Sequence, residues 1–258
     1  MKKVLALILA LLTLVCFAAC SNGNDGDNTN TNNDDSVAVE FVYNGFEYQV
    51  NEKGTYEIIG YRGTDKEITV PASIEGRKVT GIGTDAFKAI NTITSVTIPD
   101  SITYIADFAF AECDYIAKIV IPDSVTTLGV GAFYSCSALA DVTLSASLTE
   151  IGDLAFWDCD ALVSITFPET LKTIGEGAFF DADKLDNVVI PASVESVGKA
   201  AFFYCDALTN VTVKAMKATF GEWALGGKDE VTVKAYEYST AITFAHENGM
   251  TFEVIVNG

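Results

Sequence analysis

The chain has 258 residues, of which 49% are hydrophobic, and its formal net charge is −19. That apolar content can bury a core in one or two domains. A surface with this charge repels nucleic acid phosphates and anionic lipid headgroups. We therefore expect no nucleic-acid partner, and the acidic balance alone is typical of a surface that keeps a protein in solution.

The first twenty residues have the order of a secretory signal peptide. Two lysines precede an apolar run from Val4 to Val15, which is shorter than the ~20 residues that a membrane-spanning helix needs. Ala18-Ala19-Cys20 resembles the bacterial lipobox, in which the cysteine is acylated and becomes the first mature residue. Residues 1–20 are therefore predicted to be a lipoprotein signal peptide with Cys20 as the lipidation site. The alternative is ordinary cleavage beside an incidental cysteine.

A strongly polar segment follows the cysteine. Residues 21–36 read SNGNDGDNTNTNNDDS and contain no apolar side chain. Such a segment cannot bury surface on folding, so we predict a disordered tether. It would span roughly 20–25 Å on average between the anchor and the folded domain.

One pattern then returns every 23 residues. Each repeat has an aliphatic residue, usually followed by glycine, then an Ala-Phe pair, and later a three-residue run of β-branched or apolar residues. The phenylalanines of the pairs are Phe87, Phe110, Phe133, Phe156, Phe179 and Phe202. The runs begin at Val96, Ile119, Val142, Ile165, Val188 and Val211, and most of them end at a proline.

A period in the 20–29 range identifies a repeat solenoid. Stacked coils place the same side chains over one another, so the phenylalanines are predicted to form a structural ladder in one continuous core. The three-residue runs are predicted to be parallel strands, and the Ala-Phe pairs to lie in short helical or 3₁₀ turns. The glycine is expected to allow a positive φ or a close approach of coils. The predicted fold is thus mainly β, with a leucine-rich-repeat-like parallel sheet.

The unit I-G-x-x-A-F-x-x-C-x-x-L-x-x-V-x-I-P resembles the BspA-like leucine-rich repeat, a bacterial cell-surface class. The resemblance covers about residues 79–214 directly, and residues 236–256 are similar to the terminal segment of that family. It implies a protein of the bacterial cell envelope that faces the outside. It also implies relatives that act as adhesins for extracellular-matrix proteins.

Closing segments are expected at both ends, because an open solenoid end invites aggregation. Residues 37–78 are predicted to form an N-terminal β cap, and residues 79–235 to form the repeats. In the cap we expect a hairpin of residues 41–43 against 46–50, a strand from Tyr56, and a loop over Glu75–Val79.

The C-terminal cap is predicted over residues 236–258. Ser239 has the side chain of a helix N-cap, and Asn248-Gly249 is typical of a helix end. A short helix should therefore precede a closing strand at residues 251–256.

The positions of the cysteines and of the histidine decide which disulfides, metal sites and catalytic sets the repeats can form. Four cysteines occupy one repeat position, and alanine replaces cysteine there at residue 182; the cysteines are Cys113, Cys136, Cys159 and Cys205. This pattern favours small buried hydrophobes over disulfides or metal ligands. His246 is the single histidine and falls in the C-terminal cap, so no Ser-His-Asp or Cys-His set is available within the repeats. We predict no enzyme, no metal and no cofactor.

Carboxylates also recur with the period, directly after the cysteine position: Asp114, Asp160, Asp183 and Asp206. A ladder of this kind could hold calcium or supply acid and base to a solenoid glycosidase. Asn91 and Ser137 occupy the same position, which favours turn residues whose side chains bond backbone amides.

Aromatic residues follow the Ala-Phe pair in four successive coils, at Tyr134, Trp157, Phe180 and Phe203. If these side chains point outward, they form an apolar stripe of the kind that marks contact sites. Otherwise they are partly buried in the solenoid wall. The sequence leaves both arrangements open.

The leading hypothesis is a monomeric surface protein that binds an extracellular or host protein or a glycan, and that meets the membrane only through its lipid anchor. The aromatic stripe and the outward strand positions would carry the contact. A solenoid polysaccharide lyase or hydrolase, and a passive envelope scaffold, are the alternatives.

Overall fold

The coils of the repeat wind into a solenoid whose two faces are lined by different strands. The computed structural model describes residues 41–227 and 231–256, which lie within one folded unit. The predicted signal peptide, the lipidation site Cys20 and the predicted tether lie outside the described residues.

A three-stranded antiparallel unit precedes the repeats. Strand β1 (Phe41–Tyr43) pairs with β2 (Phe46–Val50), and β2 pairs with β3 (Tyr56–Tyr61). The turn between β1 and β2 is Asn44-Gly45, where both residues have a positive φ. This dipeptide suits a two-residue hairpin, because its residues tolerate the left-handed conformation.

The prediction of a loop over Glu75–Val79 is wrong. Strand β5 (Ser73–Ile74) pairs antiparallel with β6 (Arg77–Ile82) in a second hairpin. The turn is Glu75-Gly76, with φ values of 50° and 83°. The extra residues in this interval therefore form a hairpin whose second strand continues into the first coil.

The most continuous sheet lies where the sequence analysis predicted no strands. Its two-residue strands end at the apolar residue before the glycine position, and they pair parallel with the equivalent strands of neighbouring coils. They are β8 (Tyr104–Ile105), β10 (Thr127–Leu128), β12 (Glu150–Ile151), β13 (Thr173–Ile174), β15 (Ser196–Val197) and β17 (Thr219–Phe220). The sheet continues through β6 and β3 into the N-terminal hairpin.

The predicted repeat strands line another face together with strands that precede and follow them, in three separate sheets. They are β4 (Glu67–Thr69) with β7 (Ser95–Thr97), β9 (Lys118–Val120) with β11 (Asp141–Thr143), and β14 (Asn187–Ile190), β16 (Asn210–Val213), β18 (Thr232–Tyr236) and β19 (Thr251–Ile255). The run at Ile165 adds only one bridge, from Ser164 to Asn187. The single sheet expected here is therefore interrupted.

The Ala-Phe segment is a hydrogen-bonded turn rather than the predicted helical or 3₁₀ turn. The amide of Phe87 donates to the carbonyl of Ala109 in the next coil at 2.8 Å, while the amide of Ala86 donates to Gly83 in its own coil at 3.3 Å. Two residues per coil, exemplified by Asp85 and Ala89, have φ values of 55° and 56°. These left-handed residues prevent a right-handed helix, and alternate amides instead join neighbouring coils.

The predicted phenylalanine ladder, from Phe87 to Phe202, fills the core, and we call it the inner ladder. All six rings are fully buried. Neighbouring rings lie parallel, with centroids 4.9 to 5.3 Å apart. Phe46 and Tyr61 of the N-terminal unit pack against Phe87 and cover the first ring of the ladder.

The four cysteines of the described residues are free, buried thiols. Each thiol donates to the carbonyl of a ladder phenylalanine 26 residues earlier, at 3.0 to 3.2 Å. Burial raises the pKa of Cys113, Cys159 and Cys205 to about 12. These thiols therefore stay protonated at neutral pH and act as small core residues.

The glycine row is required by the close approach of coils. A Cβ on Gly129 would lie 2.5 Å from the carbonyl carbon of Ala106, and one on Gly152 would lie 2.6 Å from that of Gly129. Neither residue has a positive φ. Of the two roles expected for this glycine, the structure therefore shows the second.

Helix α1 (Thr240–Glu247) follows β18, and the hydroxyl of Ser239 accepts a hydrogen bond from the amide of Ile242 at 3.4 Å. Strand β19 then returns parallel to β18. Within residues 41–227 and 231–256, no helix has both the length and the apolar character needed to cross a membrane.

Candidate functional site

A second column of aromatic rings runs outside the inner ladder. It contains the four stripe residues and ends at Trp223, and we call these five residues the outer stack: Tyr134, Trp157, Phe180, Phe203 and Trp223. Successive ring centroids are 6.2, 3.9, 6.0 and 5.3 Å apart. Tyr134, Trp157, Phe180 and Phe203 each directly follow a ring of the inner ladder, whereas Trp223 lies 20 residues after Phe203, at the register position of Ala200.

The exposure of the outer stack changes along its length. Trp157 is 7% exposed and Phe180 is 1% exposed, whereas Tyr134 and Phe203 are half-buried. Trp223 is 40% exposed. The Trp157 ring packs against those of Tyr134 and Phe180, and the Phe180 ring packs against those of Trp157 and Phe203. The four predicted residues therefore do not form one continuous exposed stripe.

Two glycines make room for the rings in this wall. A Cβ on Gly177 would lie 3.0 Å from the Trp157 ring, and a Cβ on Gly131 would overlap the ring of Phe108. Both glycines have left-handed φ values, of 58° and 57°. Non-glycine residues occupy the same register position in other coils, so these two glycines serve packing as well as backbone conformation.

The accessible rings gather at the C-terminal end of the outer stack. Tyr204 packs against Phe203 at 4.3 Å and against Phe180 at 5.2 Å, and it is half-buried. We call Phe203, Tyr204 and Trp223 the aromatic patch. The sequence analysis missed Tyr204 and Trp223. Tyr204 could have been found as the one aromatic residue at a register position that holds Ala89, Glu112, Ser135, Asp158 and Asp181 in other coils.

A group of carboxylates lies in the same three coils as Trp157, Phe180 and Phe203. The pKa of Asp181 is raised to about 6 by partial burial and by the nearby charges of Asp183, Asp158, Asp160 and Asp206. The hydroxyl of Ser135 donates to Asp158 at 2.8 Å. Four like charges near one carboxylate create a strongly negative local potential.

At the register position of the predicted carboxylate ladder, three residues bond between neighbouring coils. The side chain of Asn91 accepts a hydrogen bond from the amide of Asp114 at 3.0 Å, and Ser137 donates to the carboxylate of Asp114 at 3.0 Å. In the part of the chain that the structure describes, no group of three or more His, Cys, Asp or Glu side chains could hold a metal ion. His246 lies exposed on α1, in the C-terminal cap.

A shallow concavity of about 390 Å³ lies on the large sheet, beside Tyr104, Glu150 and the glycine row. Asp107 and Asp153 line it, and their carboxylates accept hydrogen bonds from the amides of Val130 and Glu176 in the next coil at 2.8 and 2.7 Å. These carboxylates therefore tie neighbouring coils together.

Comparisons with known proteins agree with this architecture. The family model for the BspA type leucine rich repeat region matches six copies over residues 66–185. A leucine-rich repeat protein of T. pallidum is 23% identical, with a TM-score of 0.50, over 84% of this chain and 100% of its own. A leucine rich cell surface protein of Faecalibacterium prausnitzii is 27% identical, with a TM-score of 0.58, over 69% of this chain and 55% of its own. No curated protein matches the chain.

The family match and the geometry point to the same assignment. The matched region contains five rings of the inner ladder in consecutive coils, from Phe87 to Phe179. The T. pallidum protein supports the fold alone, while the Faecalibacterium protein shares both the fold and more of the sequence. Residues 66–185 of this chain therefore match the BspA-type leucine-rich repeat region.

Proposed function

We propose that this chain is a lipid-anchored protein of the bacterial cell surface that binds an extracellular or host macromolecule through its solenoid. The observation that carries the proposal is the aromatic patch, where large rings that the core does not need come to the surface. Trp223 is 40% exposed although the inner ladder beside it is fully buried. Exposed aromatic residues that lie side by side are typical of contact sites.

The backbone and core support binding rather than catalysis. Polar side chains at repeat positions, such as Asp107 and Asn91, accept hydrogen bonds from backbone amides of the next coil. The cysteine thiols donate to core carbonyls and remain protonated. A solenoid of this kind gives a long rigid surface, which suits recognition of a large partner. The Faecalibacterium neighbour is described as a cell surface protein, which favours the same location for this chain.

The anchor and the binding activity can be tested separately. In a bacterial host, the intact chain should incorporate labelled fatty acid and remain with the membrane. Cys20→Ala should lose the label and be released. Equal membrane retention of the two chains would contradict the anchor.

The released Cys20→Ala chain then serves for the binding test. It should be applied to arrays of extracellular-matrix proteins and glycans. Saturable capture by at least one matrix protein or glycan is expected. Capture by none would favour a passive envelope scaffold and would contradict the proposed binding function.

A further inference from the structure

The aromatic patch has the exposure and composition of a contact surface. Phe203 stacks on Trp223 at 5.3 Å, and Tyr204 lies against Phe203 at 4.3 Å. The three side chains are contiguous and reach solvent. Trp and Tyr are enriched among the residues that dominate interface energies, because they bury a large area and keep a polar tip.

Charge around the patch decides which partner it suits. Asp158, Asp160, Asp181, Asp183 and Asp206 lie close enough for four of them to perturb the fifth. Ligands that carry phosphate, sulfate or carboxylate groups would meet repulsion at this end of the solenoid. A second copy of the chain, whose net charge is −19, would bring the same sign of charge. A cationic ligand is the complementary one.

The chain already places a cation on this patch. The ammonium nitrogen of Lys199 lies 5.9 Å from the centre of the Trp223 ring, within the range of a cation–π interaction. The same nitrogen is 3.9 Å from the carboxylate of Glu222. The Trp223 ring and the neighbouring acids can therefore act together on one positive charge.

Register places a carboxylate beside the second ring of the patch. Asp181 and Tyr204 occupy the same position in adjacent coils, and their φ values are 59° and 61°. Parallel coils lie about 4.8 Å apart, so the carboxylate and the phenol project from neighbouring rungs. A guanidinium group is planar and can stack on an aromatic face while its N–H groups donate to a nearby carboxylate.

From these observations we propose that the aromatic patch docks an arginine-rich basic segment of a partner protein, which names the partner chemistry of the proposed binding function and rests on it. Arginine side chains stack on Tyr204 and Trp223, and the five carboxylates attract the positive charges of the guanidinium groups. A neutral glycan is the competing occupant, and the experiment below separates the two.

The experiment uses the Cys20→Ala chain and a synthetic peptide of alternating arginine and serine. The chain has two tryptophans, and Trp223 is the exposed one, so its fluorescence reports occupation of the patch. We expect saturable binding that weakens as salt is raised, because the contact is electrostatic. An acidic peptide of the same length, and neutral oligosaccharides, should leave the fluorescence unchanged.

Matched variants locate the site. Binding, measured with a labelled peptide, should weaken about tenfold in Trp223→Ala, as expected for a central interface aromatic. Tyr238→Ala removes another exposed aromatic ring, 88% exposed in the C-terminal cap, and should leave affinity within about twofold. Asp183→Asn should weaken binding and reduce its salt dependence. Circular dichroism and thermal unfolding establish that each variant is folded.

Each outcome decides the proposal. Wild-type affinity in Trp223→Ala, or binding that salt does not weaken, overturns it. So does a Trp223-dependent response to neutral oligosaccharides without a response to the peptide. If the array captures a partner that Trp223→Ala binds equally well, the proposed function stands and the basic docking site fails. If neither array nor peptide binds, both fail.

Discussion

The inner ladder and the first four rings of the outer stack are built from neighbouring sequence positions, yet only the inner ladder is uniform. The inner ladder has the same residue in six coils and is buried throughout. The outer stack mixes Tyr, Trp and Phe, and it passes from buried at Phe180 to exposed at Trp223. A uniform column meets the same surroundings in every coil, whereas a varied one adapts to differing surroundings. In this pair of columns, the identical residues lie in the core, and the varied residues lie in the wall and reach the surface.

The largest expected effect comes from the inner ladder. Phe133 has a parallel ring on each side, at 5.3 Å in both directions. Phe133→Ala should lower the free energy of unfolding by about 3–5 kcal/mol, since it leaves a cavity in a continuous core. Denaturant unfolding measures this loss. A loss below about 1 kcal/mol would mean that the ladder is not the core.

Truncating a central ring of the outer stack should lower the stability less than truncating a ring of the inner ladder. Trp157 stacks on Phe180 at 3.9 Å but lies near the surface of the wall. We expect Trp157→Ala to cost about 2–3 kcal/mol in the same unfolding experiment. The matched control is Trp223→Ala, which should cost about 0.5 kcal/mol or less because that ring is exposed. Equal losses of unfolding free energy in Trp157→Ala and Trp223→Ala would contradict the distinction between the covered rings of the wall and the exposed aromatic patch.

The spacing that aligns both columns depends on the glycine row. Gly129→Ala places a methyl group 2.5 Å from the backbone of the coil before it. The free energy of unfolding should therefore fall by about 1–3 kcal/mol. Ala106 holds the equivalent position in the preceding coil. Ala106→Gly should therefore lower the free energy of unfolding less than Gly129→Ala does. Thermal or denaturant unfolding of both variants measures the difference. The reverse order would contradict close approach as the reason for the glycines.

A smaller effect should appear at the exposed end, as a pH dependence. The pKa of Asp181 is raised to about 6 in the folded protein from an ordinary value of 3.8, mainly by partial burial. The folded state therefore binds this proton more tightly, and the contribution of Asp181 to stability falls as pH rises from about 4 to 6. Asp181→Asn should raise the melting temperature relative to the parent chain at pH 7 and should not raise it at pH 4. A difference that is the same at both pH values would contradict this assignment.

The repeat could be predicted from the sequence because identical side chains recur at one interval, and stacking turns that interval directly into contacts. Phe87 to Phe202 and the cysteines are of this kind. The strands of the large sheet were missed, since pairs such as Tyr104–Ile105 and Glu150–Ile151 are too short and too varied to read as strands. Their pairing comes from the register of the coils rather than from local propensity.

The candidate site was only partly predictable. The sequence analysis identified Phe203 through its repeat position, but it grouped Phe203 with Trp157 and Phe180, which the structure covers. Tyr204 and Trp223 break the repeat and become neighbours of Phe203 only when coils stack. Departures from a repeat, read in register, carry the information about the surface.

The central claim is that coils of 23 residues stack in register, and a deletion tests it most directly. Removing residues 130–152 takes out one full period and joins Gly129 to Asp153, which restores the glycine position. This chain should still unfold cooperatively, with a lower stability because one coil is lost. Removing 20 residues from the same start should break the register and abolish cooperative unfolding. Equal unfolding behaviour of the two deletions, by circular dichroism and denaturant titration, would contradict the stacked solenoid.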